Sequence, residues 1–341
     1  MPALAVADAL RARGVQVEFI GGERAEVELV PAAGYPFHRL RVAGLDRSNP
    51  LRAARAVLLS ARAAGGARRL LKRIGADAVL GGGGYVAGPV GLAARALRLP
   101  LMLTEADSHL GVSNRLLAPF AARICLAFPI DGRTGSKWLV TGRPVPRGTD
   151  SADREAARAR LGIAPDGPCL LVFGGSLGAL RLNEATVDAF GAAAPCAVLH
   201  ASGRRDYERL RARLAELGSP EHYRLFAYIE PFADALGAAD LAAARAGGSV
   251  FELAAAGLPA LLVPYPHATG NHQDANARFM QDAGAAVVIP DAELDGPRLA
   301  REVGGLLAAP QRMAEMANAA QAVAKPDAAE RVASELLALV A

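Results

Sequence analysis

Arg245-Ala246-Gly247-Gly248-Ser249-Val250-Phe251-Glu252 opens the stretch that decides the fold. It runs on through Leu258-Pro259-Ala260-Leu261-Leu262-Val263-Pro264 to His267 and then His272-Gln273-Asp274-Ala275-Asn276. The glycines mark a turn out of the apolar run 240–244, and a helix is predicted from Ser249 onward. A second apolar run, 259–263, follows, and then a second helix. Strand, glycine turn, helix and strand in that order argue for a parallel sheet with crossover helices. Ligands of such sheets sit beyond the carboxyl ends of the strands. A helix N-terminus there presents free N–H groups to an anion such as a diphosphate. Glu252, on the first turns of that helix, can accept two hydrogen bonds from a ribose; a helix-capping or solvated glutamate would look the same. Gln273 and Asn276 lie three apart on one helix face and suit sugar hydroxyls. The alternative is a helix-start cluster capped by Asn271.

The same alternation extends outward over the chain. A helix is predicted at 2–13, a strand at 15–20 and a basic helix at 50–73. Strand 77–81, helix 88–98, strand 100–104, helix 111–122 and strands 123–127 and 137–141 complete a first series. The segment Thr141-Gly142-Arg143-Pro144 to Asp150 reads as a linker with a hinge at 142–150. A second series has strands at 168–174, 196–200, 222–226, 240–244, 259–263 and 285–289, with a helical tail from 297. Two doubly wound domains are the simplest assembly. The chain opens in a helix, with Pro2 where a first-turn proline belongs. A doubly wound domain opens with a strand and a glycine loop. The expectation is therefore that Met1 is internal to a longer protein, and that two strands lack a ladder partner without that segment.

Composition narrows the class. The 341 residues suffice for two domains, and 52% hydrophobic with only 5% aromatic residues suits helices packed tightly on parallel strands. No apolar run is long enough for a transmembrane helix, and no signal-peptide pattern opens the chain. Cys125, Cys169 and Cys196 each sit in an apolar run and read as reduced, buried thiols. No Cys/His cluster has metal-ligand spacing, and no cofactor is implied.

Four further motifs carry candidate chemistry. Phe173-Gly174-Gly175-Ser176-Leu177-Gly178-Ala179 follows an apolar strand and offers glycines and a hydroxyl to a phosphate, or simply a tight turn. Gly81-Gly82-Gly83-Gly84-Tyr85, before Pro89, suggests a second anion cradle; close helix–sheet packing is the alternative. Thr104-Glu105-Ala106-Asp107-Ser108-His109 closes strand 100–104 with two carboxylates and a histidine, a possible general base, although Asp107 or Ser108 could serve only as a helix cap. The net charge of +4 is unevenly spread. Arg47, Arg52, Arg55, Arg62, Arg68, Arg69, Lys72 and Arg73 fall in a stretch free of acidic residues from 47 to 76. With interleaved leucines it fits a helix on an anionic membrane surface or a solvated helix face. Stacking aromatics are absent, which argues against nucleic acid.

With these residues in hand, the chain resembles the MurG family from Pro2 to about Leu307. The matching strings include Gly83-Gly84-Tyr85-Val86, Ser113-Asn114-Arg115-Leu116-Leu117, Leu126-Ala127-Phe128-Pro129, Gly174-Gly175-Ser176-Leu177-Gly178-Ala179, Glu252-Leu253-Ala254-Ala255-Ala256-Gly257-Leu258-Pro259 and His272-Gln273 with Asn276. The resemblance implies an α/β GT-B fold, two Rossmann-like domains facing a cleft. It implies an acceptor domain at 1–145, a UDP-GlcNAc domain at 146–324 and a last helix, 325–341, returning to the first domain. The implied enzyme is metal-independent and inverting. It moves N-acetylglucosamine from UDP-GlcNAc to undecaprenyl-diphospho-muramoyl-pentapeptide (lipid I), giving lipid II, at the inner face of the cytoplasmic membrane. The alternatives are another GT-B transferase, a UDP-GlcNAc epimerase, or a degenerate UDP-GlcNAc-binding protein.

Carried over, Gly175, Ser176, Leu177 and Gly178 should hold the donor diphosphate, with Arg143, Arg147, Gly247, Gly248, Ser249 and His272 contributing to the donor site. Glu252 should bind the ribose, the Ile229 backbone the uracil edge, and Gln273 and Asn276 the GlcNAc. Gly82, Gly83, Gly84, Tyr85 and Asn114 should face the acceptor, Glu105 or Asp107, or the histidine of the family's opening segment, should take its proton, and Arg68, Arg69, Lys72 and Arg73 should meet the membrane. The chain departs from the family in four ways besides lacking its opening glycine-histidine segment. Asp107 stands for an Asn, Leu177 for a Gln and Pro146 for an Arg, and the Gly247-to-Glu252 segment is one residue shorter.

Overall fold

The structure is a computed structural model that describes residues 2–42, 50–174 and 179–340, with the backbone alone at 50–61 and 269. Gly175, Ser176, Leu177, Gly178 and Arg47 therefore lie outside the described residues. So do the side chains of Arg52 and Arg55. The chain divides into two units, residues 1–146 with 327–341, and residues 147–326.

The first unit runs α1 (Pro2–Arg11), β1 (Phe19–Gly21), α2 (Glu26–Ala32), β2 (Phe37–Arg39), α3 (Pro50–Ile74), β3 (Val79–Gly81), α4 (Gly84–Leu97), β4 (Leu101–Glu105), α5 (Val112–Leu117), β5 (Arg123–Leu126) and β6 (Trp138–Val140). Its strands form two parallel sheets, β1-β2 and β3-β4-β5-β6. Among the described residues β1 and β3 each pair on one edge only. Their side chains nevertheless share cores: Ile20 and Val79 join one cluster, Val17 and Leu80 another.

Several elements differ from the sequence reading. The strand expected at 15–20 forms at 19–21, and its partner β2 was not anticipated; both are short and only half-buried, so neither shows the long apolar run of a central strand. The helix expected at 88 begins at Gly84, so Pro89 is inside it rather than at its start. Gly83 and Gly84, at φ +81° and +74°, turn the chain directly from strand into helix in a region that glycine enters without steric cost. The helix expected over 111–122 stops at Leu117 and tightens into a 3₁₀ turn, Ala118–Phe120, at Pro119, which cannot donate to the helical ladder.

The second unit runs α6 (Arg154–Leu161), β7 (Cys169–Phe173), α7 (Leu180–Phe190), β8 (Ala197–Ala201), α8 (Tyr207–Glu216), β9 (Tyr223–Phe226), α9 (Phe232–Ala238), β10 (Leu241–Ala244), α10 (Val250–Ala255), β11 (Ala260–Leu262), α11 (His272–Asp282), β12 (Ala286–Val288), α12 (Gly296–Leu307) and α13 (Pro310–Val323). Its six parallel strands lie in the order β12-β11-β10-β7-β8-β9. Every residue of β7 and β10 is buried, as expected for strands covered on both faces. Leu170, Val172, Leu182, Phe190, Leu241 and Leu299 pack into one core.

Arg158, almost fully buried, fastens the start of β7. It donates to the carbonyls of Ala238, Ala164, Pro165 and Gly167 and to Asp240, whose Oδ2 also accepts from the Cys169 N–H at 2.8 Å. After α13 the chain returns to the first unit as α14 (Ala328–Leu337). Val332 and Ala333 pack against Val6, Ala9 and Leu10 of α1, and Arg13 bonds Ser334 and Glu330.

Candidate functional site

In the second unit the connection leaves β7 toward β8 and β9, then returns across the sheet to place β10 on the other side of β7. That reversal is the switch point at which doubly wound sheets bind ligands, beyond the strand ends. The turn leaving β10 is the Arg245–Ser249 segment singled out in the sequence, and Gly174 and Ala179 flank the other such segment after β7. Gly174 admits no side chain, since a Cβ there would strike Ala179. Gly247 has open space where its Cβ would be. Ser249 precedes α10, and Glu252 follows on its first turn, half-buried.

The polar residues around this turn are frames as much as contacts. Arg245, 7% exposed, donates to the Val263 carbonyl at 3.1 Å and pairs with Asp291 at 2.5 Å. It joins the turn after β10 to the end of β11 and to the segment before α12.

Asn276 and Gln273, which the sequence reading set against the sugar, both meet backbone here. Asn276 is 2% exposed and donates to the Ala246 carbonyl at 2.9 Å, so it braces the glycine turn from beneath. Gln273 accepts from the Tyr265 N–H at 2.9 Å and fixes the chain leaving β11. Both lie on the first turns of α11, the face the sequence indicated, each with one amide atom on backbone, while Asn276 Oδ1 has no hydrogen-bond partner among the described residues. His272 opens that helix. The Ile229 side chain is buried beyond β9, while its N–H and C=O make no hydrogen bond among the described residues. Arg147 is exposed at the start of this unit, and Arg143, half-buried, belongs to the other.

The first unit presents its own set at the carboxyl ends of β1, β3 and β4. Gly82 and Gly84 are exposed, and Gly83 and Tyr85 half-buried. Ser113 Oγ donates to the Gly84 carbonyl at 2.6 Å. The Tyr85 hydroxyl fills the space over Gly22, which could carry no side chain, and the Arg24 guanidinium stands 5.1 Å from the Tyr85 ring centre. Gly22 also donates to Glu26 Oε1 at 2.9 Å. Sequence reasoning missed Gly22, Arg24 and Glu26; the Gly21-Gly22 pair after an apolar run was the available signal.

Glu105 and Asn114 are bonded to each other at the end of β4. The Glu105 carboxylate, 7% exposed, accepts from the N–H groups of Ala106, Asp107 and Gly111 and from the Asn114 amide at 2.9 Å. Both its oxygens accept two hydrogen bonds each, so it orders the turn after β4. Asn114, 1% exposed, also donates to the Thr104 carbonyl and lies beneath the glycine turn, not on the acceptor's side of it. Asp107 is half-buried, and its carboxylate makes no hydrogen bond or ion pair among the described residues.

The buried thiols of Cys125 and Cys169 are pushed up to about 12, and that of Cys196 to about 11, chiefly by desolvation. None is a nucleophile at neutral pH. No group of three His, Cys, Asp or Glu among the described residues could hold a metal ion.

Two parallel doubly wound units, each with glycine turns at its strand ends and joined by a final helix that returns to the first, make this the GT-B class of fold. Profiles of the glycosyltransferase family 28 N-terminal and C-terminal domains match residues 1–126 and 169–332. A Rubrobacter xylanophilus protein named UDP-N-acetylglucosamine--N-acetylmuramyl-(pentapeptide) pyrophosphoryl-undecaprenol N-acetylglucosamine transferase is 42% identical over 338 residues, 98% of each chain. The crystal structure of Acinetobacter baumannii MurG superposes with a TM-score of 0.77 at 32% identity, covering 99% of this chain and 95% of that one. A UDP-N-acetylglucosamine 2-epimerase structure from Listeria monocytogenes, at TM-score 0.70 but 16% identity, shares the fold alone. The chain belongs to the MurG family.

Proposed function

We propose that this chain transfers N-acetylglucosamine from UDP-GlcNAc to lipid I, undecaprenyl-diphospho-N-acetylmuramoyl-pentapeptide, to form lipid II in peptidoglycan synthesis. The observation that carries this reading is that β7 and β10, the strands before the two glycine-rich segments, end side by side at the switch point of the second sheet, in a chain whose relatives bear the name of that activity over their full length. UDP-GlcNAc lies there with its diphosphate against the turn after β7 and its ribose at Glu252. The uracil pairs with the free Ile229 peptide groups. Arg245, Gln273 and Asn276 hold the loops that shape this pocket.

The acceptor diphosphate meets the exposed N–H groups of Gly82–Tyr85. The attacking hydroxyl displaces UDP from the sugar C1 with inversion. The charge on the departing UDP is met by main-chain N–H groups and arginine, so the reaction is metal-independent in this reading. Asp107, the carboxylate of the pair with unfilled lone pairs, takes the proton.

The enzyme works as a peripheral protein at the inner membrane face. No helix of the described residues is long and apolar enough to cross a membrane. Arg62, Arg68, Arg69, Lys72 and Arg73 are exposed along α3 and form no ion pair among the described residues, while Ala63, Ala67, Leu70 and Leu71 bury its other face. Leu116 and Phe120, 66% and 46% exposed and four apart, add an apolar stripe from α5 onward; α3 and α5 both pack on α4. A basic face beside exposed apolar side chains suits an anionic lipid surface.

Titration calorimetry with UDP-GlcNAc tests the donor assignment. Glu252→Ala weakens binding about tenfold by removing a charge-assisted bond to the ribose; unchanged affinity would place the ribose elsewhere.

A further inference from the structure

Beneath the donor half of the second unit runs a buried hydrogen-bond chain that the reaction does not consume. His200, at the centre of β8, is fully buried. Its Nδ1 lies 2.7 Å from the Tyr223 hydroxyl on β9, and its Nε2 3.0 Å from Asn183 Oδ1 on α7. The Asn183 amide in turn donates to the Ser202 carbonyl and to Asp206 Oδ2, both at 2.9 Å.

These acceptors fix the direction of every proton in the chain. Ser202 O and Asp206 can only accept, so the Asn183 nitrogen faces them and its oxygen faces His200. His200 must then donate from Nε2, accept at Nδ1 and remain neutral, with the Tyr223 hydroxyl donating to it. The surroundings agree, since desolvation lowers the imidazole to about 3 against a weak opposing pull from Asp206. The chain binds three elements. Asn183 is one turn into α7, and its N–H reaches the Ala179 carbonyl at 2.8 Å, where the turn after β7 ends. Ser202 and Asp206 bracket the turn after β8, and Ser202 N–H bonds the Phe226 carbonyl at 2.9 Å, the end of β9.

We infer that His200 is a positioning residue for donor binding: through Asn183 it holds the first turns of α7 against the turn after β8, the relation in which the diphosphate end of UDP-GlcNAc is received. This rests on the donor placement proposed above.

Steady-state kinetics on the full chain, varying UDP-GlcNAc and a lipid I analogue separately, test it. His200→Phe fills the space but leaves Asn183 Oδ1 and the Tyr223 hydroxyl unpaired in the interior. It should raise the donor KM about tenfold, with the acceptor KM changed by less than about twofold. His200→Gln keeps an N–H donor at the Nε2 place and should recover most of the donor KM. Leu214→Ala, in the same core on α8, should lower the melting temperature and leave the donor KM unchanged. A wild-type donor KM in His200→Phe, or an equal rise in Leu214→Ala, would overturn the inference. Failure of the unaltered chain to bind UDP-GlcNAc would instead overturn the donor assignment beneath it.

Discussion

Glu105 and Asp107 stand two residues apart at the end of one strand, yet their surroundings assign them different work. Glu105 receives three backbone N–H groups and the Asn114 amide. Replacing it with Gln puts an N–H2 where acceptors are needed, and denaturant unfolding should show a loss of about 2 kcal/mol in the first unit. Asp107→Asn should leave stability unchanged and lower kcat about 100-fold, the smaller end of the range for a lost general base. Full activity in Asp107→Asn would move the base elsewhere. His200 sets a second expectation. Its folded value, about 3, lies below the ordinary 6.5, so an unfolded chain gains a proton that the folded one refuses. The stability it supports is complete above about pH 6.5 and is lost as pH falls toward 3, by up to about 1.4 kcal/mol per unit. Tyr223 contacts the ring and Asp206 lies beyond Asn183, so the comparison is with His200→Gln, whose unfolding free energy should lack that slope. Residue types were legible at this scale and partners were not. Sequence spacing put Gln273, Asn276 and Asn114 at strand ends, but an amide there serves a sugar or a carbonyl equally well, and only the fold brings the Ala246 carbonyl to Asn276 and the Thr104 carbonyl to Asn114.

Among the elements, α3 carries the clearest sequence signal. Among its described side chains the cations are exposed and Ala63, Ala67, Leu70 and Leu71 buried, the division expected of an amphipathic surface helix. Exchanging Arg68, Arg69, Lys72 and Arg73 for Glu should release the protein from anionic vesicles in a sedimentation assay, since each basic residue near such a surface is worth about 1 kcal/mol. Undiminished binding would remove α3 from the membrane face. The long apolar strands of the second unit were legible within a residue or two because burial on both faces writes them as continuous runs, as at Cys169–Phe173. Short, half-buried β2 carries no such run, and α4 begins at a glycine, the residue least suggestive of a helix start. Helix ends depend on local backbone geometry, here Gly83, Gly84 and Pro119, which periodicity does not encode.

At the scale of the molecule, parallel sheets in both units carry glycine turns at their carboxyl ends, and α14 ties the end of the chain to α1. The alternation of strand and helix foretold two doubly wound units; the strand order of the second, with β7 beside β10, arises from crossover direction and was not readable from spacing. In the first unit β1 and β3 each pair on one side only among the described residues, as the sequence reading expected of two strands. The activity assigned to this architecture is tested most directly by incubating the protein with radiolabelled UDP-GlcNAc and a lipid I analogue and following label into the lipid fraction. The account predicts a labelled disaccharide lipid with a β linkage and equimolar UDP. Folded protein that binds UDP-GlcNAc and forms no such product would contradict it.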